Sequence, residues 1–275
     1  MELGYNTNGF AHHRLEDAIE IIAKLGYGCV AITLDTHHLN PFTADAAEIT
    51  RIARLLDRHG LSCVIETGSR YLLDPWRKHR PTLLDDDCDS RVHFLYRAAE
   101  IAEDLRAWAV SYWSGARPEN WAGNDAELYD RLAMHVERIE AKCRDHGTRA
   151  AFEPEPGMLI ESMADYDRLA AILGFQPGLT LDIGHLECVE PEPEEVYLAR
   201  YKDVLYNLQL DDMLPGRHRH LSFGEGSVDF ARVFATLHEI DYRGPACVEL
   251  GESSRTAVET AARSKQFLDS MTGAK

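Results

Sequence analysis

The sequence predicts a single-domain α/β protein, a (β/α)8 barrel of the TIM type. Three observations lead there. Eight short runs rich in apolar and β-branched residues alternate with eight stretches of helical periodicity. The alternation fills 275 residues, and about 250 residues is what eight β/α units require. The turn after the first run, GYNTNGF, is not the GxGxxG that normally opens a doubly wound sheet, the alternative arrangement of the same elements.

The first strand, 2–6 (ELGYN), leads to a helix over 14–25. There Leu15, Ala18, Ile19, Ile22 and Leu25 form one face at the 3.6-residue period, and Gly26 ends it. The second strand, 28–34 (GCVAITL), precedes a helix over 43–59 with the same pattern, stopped by Gly60. The third, 61–66 (LSCVIE), is followed by 67–89, TGSRYLLDPWRKHRPTLLDDDCD. This stretch is too long and irregular for a plain connection and reads as an active-site loop before a helix over 90–105. The fourth strand, 107–112 (AWAVSY), pairs with a helix over 124–146, and the fifth, 148–153 (TRAAFE), with one over 163–173. The last three strands, 179–182 (LTLD), 204–210 (VLYNLQL) and 245–250 (PACVEL), precede helices over 192–201, 228–240 and 255–270. The chain has no short repeat, low-complexity tract or interdomain linker, so 1–275 is expected to be one domain.

Twenty-nine basic and 46 acidic side chains give a net charge of −17, a surface that repels phosphate backbones, so nucleic acid is not an expected partner. The six cysteines show no CxxC spacing, and Cys29, Cys63 and Cys247 sit in apolar runs. They read as free thiols of a reducing compartment, which points to the cytoplasm. The N-terminus MELGYNTNGF has no basic region followed by an apolar stretch, so no signal peptide is expected. Nor is a membrane span, for want of about 18 consecutive apolar residues.

In a barrel of this type the active site stands at the C-terminal ends of the strands. Glu66 ends the third strand, Glu153 the fifth, Asp182 the sixth with His185 just beyond, and Glu249 the eighth. The seventh carries Gln209, then Asp211 and Asp212. Carboxylates converging on one mouth repel one another, and unless some are protonated a cation must compensate. Oxygen-rich donors favour Mn2+ or Mg2+, with Co2+ and Zn2+ also open. Taken singly, each residue has a plainer reading. Asp182 would cap the following helix, Glu153 before Pro154 would be a loop residue, and His185 would be a hydrogen-bonded structural histidine. The coincidence of Glu153, Asp182 and Glu249 at one end of the barrel favours a site.

RAAFEPEPGMLIESMADYDRLAAIL, GLTLDIGHLE, NLQLDDMLPGRHRHLSFGEGSVDF and CVELGE together resemble the xylose isomerase-like barrels. This superfamily holds sugar-phosphate isomerases and epimerases, ketose 3-epimerases, inosose dehydratases and an AP endonuclease. The resemblance implies four metal ligands, Glu153, Asp182, Gln209 and Glu249, with Mn2+ as the first choice of ion. Glutamine at 209 departs from the family histidine, which implies a weaker or harder-ion site, help from Asp211, or loss of metal. The resemblance also implies that Glu153 and Glu249 are the catalytic acid–base pair, acting on opposite faces of a sugar-like substrate, and that His185, His220, Arg217 and Arg219 bind it.

The expected activity is an isomerase or epimerase of a keto-sugar or cyclitol, through a metal-stabilised enediolate. The alternatives are a dehydratase or lyase on such a substrate, or a metal-free binding barrel. A DNA-repair nuclease would need a basic groove and more strand-end histidines. Substrate contacts from the first half are sought among Asn6, His37, His38, Glu66, Arg70, Trp76, Arg77, His79 and Trp113. The basic loop cations Arg70, Arg77, Lys78 and Arg80 suit a phosphate or carboxylate. His37-His38 reads as a ligand or sugar-stacking pair, or as surface polarity. A homodimer or homotetramer is expected through elements near the mouth, with Trp113, Trp121 or the 67–89 loop as contacts.

Overall fold

In the computed structural model, which describes residues 1–273, parallel strands close into a barrel and helices pack around it. The strands are β1 (Glu2–Asn6), β2 (Cys29–Thr33), β3 (Ser62–Glu66), β4 (Val110–Tyr112), β5 (Ala150–Phe152), β6 (Leu179–Asp182), β7 (Leu205–Leu210), β8 (Asp212–Leu214), β9 (Arg217–Leu221) and β10 (Pro245–Val248). The ring runs β1-β10-β7-β6-β5-β4-β3-β2, and β8 and β9 form a separate antiparallel hairpin just after β7. The helices are α1 (Leu15–Lys24), α2 (Ala46–His59), α3 (Asp89–Leu105), α4 (Asp125–Asp145), α5 (Met163–Leu173), α6 (Ile183–Val189), α7 (Glu194–Tyr201), α8 (Phe230–Glu239) and α9 (Ala257–Thr272). Short 3₁₀ turns lie at Thr7–Phe10 and Gly251–Thr256.

Local chemistry sets the helix ends. Helix α1 buries Leu15, Ala18, Ile19 and Ile22, the face its periodicity predicts. Asp45 starts α2 by accepting the Glu48 N–H at 2.8 Å. Ser162 and Asp165 close a reciprocal capping box on α5. The apolar faces of the helices and the outward side chains of the strands make one continuous core around the barrel. No helix among the described residues is long and apolar enough to cross a membrane.

Two elements escape the sequence pattern. Helix α6 is only seven residues, IGHLECV, too short to display a period, and it begins directly at the last residue of β6. The hairpin strand β9 reads RHRHL and has no apolar alternation, because it covers the barrel mouth rather than the core. Elsewhere the corrections are to boundaries. The predicted strands at 107–112 and 148–153 shorten to β4 and β5, three residues each. The predicted helix over 255–270 shifts to α9 behind a 3₁₀ turn.

Inside the barrel, side chains two apart on a strand share a face, and the interior is layered accordingly. Gly4, Ala31, Val64 and Cys247 belong to a lower layer of small apolar groups, with Cys29 packed against them. The approach is close: a Cβ on Gly4 would lie 2.4 Å from Cys247 Sγ and 2.9 Å from the Cys29 carbonyl oxygen. Two residues further along the same strands stand Asn6, Thr33, Glu66 and Glu249. The barrel changes from small and apolar to polar within one side-chain layer.

Candidate active site

Each of the eight barrel strands contributes one polar residue to this upper layer, from Ser111, Glu153, Asp182 and Gln209 as well as the four just named. A hydrogen-bond net holds it. Gln209 Nε2 donates to Glu66 Oε1 at 2.7 Å, and Asn207 Nδ2 donates to the same oxygen at 3.1 Å. Thr33 donates to Asn6 at 2.7 Å, Ser111 to Glu153 at 3.4 Å, and Asn8 Nδ2 to Glu249 at 2.7 Å. Above the layer opens a pocket of about 270 Å³, with Glu66, Glu153, Glu249, His185, His220 and Arg219 on its wall. Asp182 and Gln209 are fully buried in the same layer.

Asp182 does two things. As the N-cap of α6 it accepts the His185 N–H with Oδ1 at 3.0 Å, so the chain passes from strand to helix without a loop. The one-turn advance puts the His185 ring inside, 3.8 Å from both Glu153 Oε1 and Asp182 Oδ2. Its Nδ1 lies 3.3 Å from the Pro154 carbonyl oxygen. The glycine of LDIGH is required by proximity: a Cβ at Gly184 would fall 1.9 Å from Asp211 Oδ1. Asp211 in turn hydrogen-bonds His220 Nδ1. Asp212 accepts the N–H groups of Gly224, Gly226 and Val228 at 2.8, 2.9 and 3.1 Å, which is what folds SFGEGSVDF beside the hairpin.

The loop over residues 67–88 forms the opposite rim, with Thr67, Gly68, Arg70, Lys78 and His79 lining the pocket. Arg91 of α3 holds it from within. Arg91 is 3% exposed and donates to the carbonyls of Pro81 (3.0 Å), Thr67 (3.4 Å) and His79 (3.1 Å). Its guanidinium sits 4.8 Å from the Trp113 ring centre, and burial pushes its pKa down to about 9.

Several expected contacts fall elsewhere. Arg77 is paired with Asp74 at 2.6 Å and Arg80 with Asp85 at 2.7 Å, leaving Arg70 and Lys78 as the loop cations on the pocket. His38 is buried in a neighbouring small cavity, with Nε2 2.9 Å from the His13 carbonyl oxygen, and His37 is exposed. Arg217, at the outer end of the hairpin, is exposed and off the pocket wall. Trp113, sought both as a substrate contact and as a subunit contact, is buried against Arg91 with an edge on the pocket wall, whereas Trp76, also sought as a substrate contact, is exposed and off that wall. Asn8, Glu155, His218 and Arg91 were not anticipated. Asn8 and His218 lie in a 3₁₀ turn and a polar hairpin that carry no periodic signal, whereas the EPEP repeat did place Glu155 beside Glu153.

Burial, followed by the charge of Glu249, holds the carboxyls of Glu66 and Glu153 well above the usual range. Burial raises Glu249 too, and brings Glu155 to about 7. Asp182 goes the other way. Burial opposes its charge, but His185 and His220 outweigh it. Burial keeps His185 neutral, near 4. It also works against the His220 imidazolium, yet Asp211 holds that group well above the ordinary histidine value.

The layer fits a divalent cation. Asp182 Oδ2 and Gln209 Oε1 are buried without a hydrogen-bond partner, because Asp182 has given its other oxygen to the cap and Gln209 its amide N–H to Glu66. Among the described residues, Glu153, Asp182 and His185 bring donor atoms within 4.8 Å of one another. So do Asp182, Asp211 and His220, and so do His185, His218 and His220.

A closed parallel barrel with a carboxylate-lined mouth defines a TIM-barrel protein with its working site at the strand C-termini. The chain belongs to the xylose isomerase-like TIM barrel family, whose model matches residues 19–271. Among its relatives, L-ribulose-5-phosphate 3-epimerase UlaE of Escherichia coli (strain SMS-3-5 / SECEC) is 25% identical, covering 90% of this chain and 84% of that protein. Uncharacterized protein MJ1311 of Methanocaldococcus jannaschii is 24% identical over 98% of this chain and 90% of its own length. The same fold recurs in a D-tagatose 3-epimerase-like protein, with TM-score 0.79, 21% identity and coverage of 99% of both chains. It recurs also in a D-allulose 3-epimerase from Methylomonas sp. in complex with D-allulose, with TM-score 0.77, 18% identity and coverage of 98% and 97%.

Proposed function

We propose that this chain is a divalent-metal-dependent epimerase or isomerase that inverts or shifts the centre next to the carbonyl of a ketose or related polyol. The observation that carries this reading is the placement of Glu153 and Glu249. Both line one pocket, and their strands β5 and β10 stand three places apart in the ring, so the two carboxyls enter from well-separated directions. The relatives named as sugar 3-epimerases support the substrate class.

Glu153, Asp182, Gln209 and Glu249 would hold the ion, Mn2+ in the first instance. When bound, it would polarise the carbonyl and adjacent hydroxyl and stabilise the negative charge of the enediolate. One glutamate takes the proton as the C–H bond breaks. The other delivers a proton to the opposite face as the new C–H bond forms, so the change is redox-neutral. Asn8 orients Glu249 and Ser111 orients Glu153. Arg70 and Lys78 stand at the rim where a terminal phosphate or hydroxyl of the substrate would lie.

The test is proton exchange. With Mn2+ in D2O, ketopentoses and ketohexoses, free and phosphorylated, are screened by NMR for deuterium at the carbon next to the carbonyl. Exchange that is lost in both Glu153→Gln and Glu249→Gln is the expected result. Turnover that survives either substitution rules the mechanism out. A second reading, elimination of a β-hydroxyl as water, is favoured by Glu155, whose carboxyl near 7 faces the same pocket as a ready acid. It predicts a dehydrated product in the same spectra.

A further inference from the structure

Glu66 reaches across the barrel. Its strand, β3, stands opposite β7 in the closed ring, four places away in either direction. From there Glu66 Oε1 accepts Gln209 Nε2 at 2.7 Å and Asn207 Nδ2 at 3.1 Å. Glu66 is 5% exposed, and both amides are fully buried. Glu66 belongs neither to the ligands nor to the acid–base pair of the proposed function.

This contact decides which end of the Gln209 amide faces away from Glu66. The last torsion of a glutamine is broad and roughly two-fold, so the side chain alone does not choose between oxygen and nitrogen. A carboxyl oxygen that already accepts from Asn207 attracts a further N–H and repels an amide oxygen. The amide nitrogen is therefore drawn to Glu66, and Oε1 is turned elsewhere, buried and without a hydrogen-bond partner. Gln209 is the register neighbour of Asp182, whose Oδ2 is likewise buried and unpartnered. The two free oxygens thus belong to adjacent side chains on one face of the sheet. Turned the other way, Gln209 would present an NH2 group, which has donors and no acceptor for a cation.

We propose that Glu66 is a positioning residue that locks Gln209 with its oxygen toward the ion and thereby sets which divalent cation the site prefers. The inference rests on the metal dependence of the proposed function. With the lock closed, Glu153, Asp182, Gln209 and Glu249 offer oxygen alone, a set that suits Mg2+ or Mn2+. Zn2+ gains from imidazole nitrogen, so an oxygen at position 209 narrows its lead over Mn2+. The lock works by accepting hydrogen bonds and not by charge, so any side chain that places an oxygen there closes it.

The experiment is titration calorimetry of metal-free full-length protein with Mn2+ and, separately, with Zn2+, for wild type, Glu66→Gln, Glu66→Met and Gln209→His. Glu66→Gln keeps an acceptor oxygen and should bind Mn2+ as wild type does. Glu66→Met removes the acceptor and should weaken Mn2+ about tenfold to a hundredfold. Gln209→His should raise the ratio of Zn2+ to Mn2+ affinity. In side-chain amide NMR of the metal-free wild type, the NH2 groups of Gln209 and Asn207 should exchange with solvent far more slowly than surface amides. If Glu66→Gln loses as much as Glu66→Met, Glu66 acts by charge or as a ligand itself, and the lock is overturned. Unchanged Mn2+ affinity in Glu66→Met, or an unchanged ratio in Gln209→His, overturns it too. Should Glu66→Met not fold, fast exchange of both wild-type amides overturns the lock without that variant. Each of these failures leaves the proposed function standing. A wild type that binds no Mn2+ removes both, whereas the expected binding pattern in a protein that exchanges no ketose proton keeps the lock and removes the epimerase.

Discussion

The lower and upper layers of the barrel interior lie two residues apart on the same strands, and they are built to opposite ends. Below, Gly4, Ala31, Val64 and Cys247 pack so closely that a single added carbon would collide with a sulfur and a carbonyl. Above, Asn6, Thr33, Glu66 and Glu249 are polar, and buried atoms of their neighbours Asp182 and Gln209 have no partner in the protein. Close packing without polar groups stabilises. Buried, unpartnered polar atoms cost free energy unless something binds them. The contrast says that the upper layer is organised around a ligand and the lower one around the fold.

Substitutions can pull the two layers apart. Glu153→Gln should lower kcat by about 10²- to 10⁴-fold, measured as deuterium exchange on a ketose substrate, with the melting temperature unchanged or higher. Gly4→Ala should do the reverse, costing about 1–3 kcal/mol by overpacking in chemical denaturation, with kcat per folded molecule preserved. If Gly4→Ala leaves stability intact or Glu153→Gln unfolds the protein, the distinction between layers is wrong.

A third substitution sharpens the picture at the rim. Arg91→Met removes the donor that ties Pro81, Thr67 and His79 together from beneath the loop. It should raise KM about tenfold, worth about 1.4 kcal/mol, with a much smaller change in kcat, because in the proposed function the loop would meet the substrate away from Glu153 and Glu249. A loss confined to kcat would place Arg91 in the chemistry instead.

The smallest effect tests a buried carboxyl outside both layers. Glu140 on α4 has an oxygen without a partner, and burial raises its pKa from the usual 4.5 to about 7. Its folded-state pKa lies above the unfolded one, so its contribution is fully present below pH 4.5 and is lost as pH rises through about 7. Glu140→Gln should therefore gain a few degrees over wild type at pH 8, about 2–4 °C, and little at pH 5 in thermal melts. Parallel melting curves at both pH values would discard this account.

The barrel was legible because most of its helices are periodic, as in α1, where one apolar face is written at the 3.6-residue spacing, and because its strands are short apolar runs set between them. The strand-end carboxylates were legible because each follows an apolar run. The hairpin was not, because a strand lying over a polar mouth loses the alternation that marks a half-buried strand. Arg91 was hidden for a related reason. Its role is to donate to three backbone carbonyls, and carbonyls look the same in every residue. The basic loop misled about Arg77 and Arg80, since composition does not reveal that Asp74 and Asp85 would fold back to neutralise them.

Gly184 and Asp211 compete for a single small volume: the space a methyl at 184 would fill is occupied by Asp211 Oδ1. The two positions are far apart in sequence but cannot vary independently. A relative bearing a side chain at the position of Gly184 must surrender the carboxylate at the position of Asp211, and with it the hydrogen bond that aims His220. The glycine of LDIGH and the first acidic residue of QLDD should therefore change together, and swapping either alone between homologues should fail where swapping both succeeds.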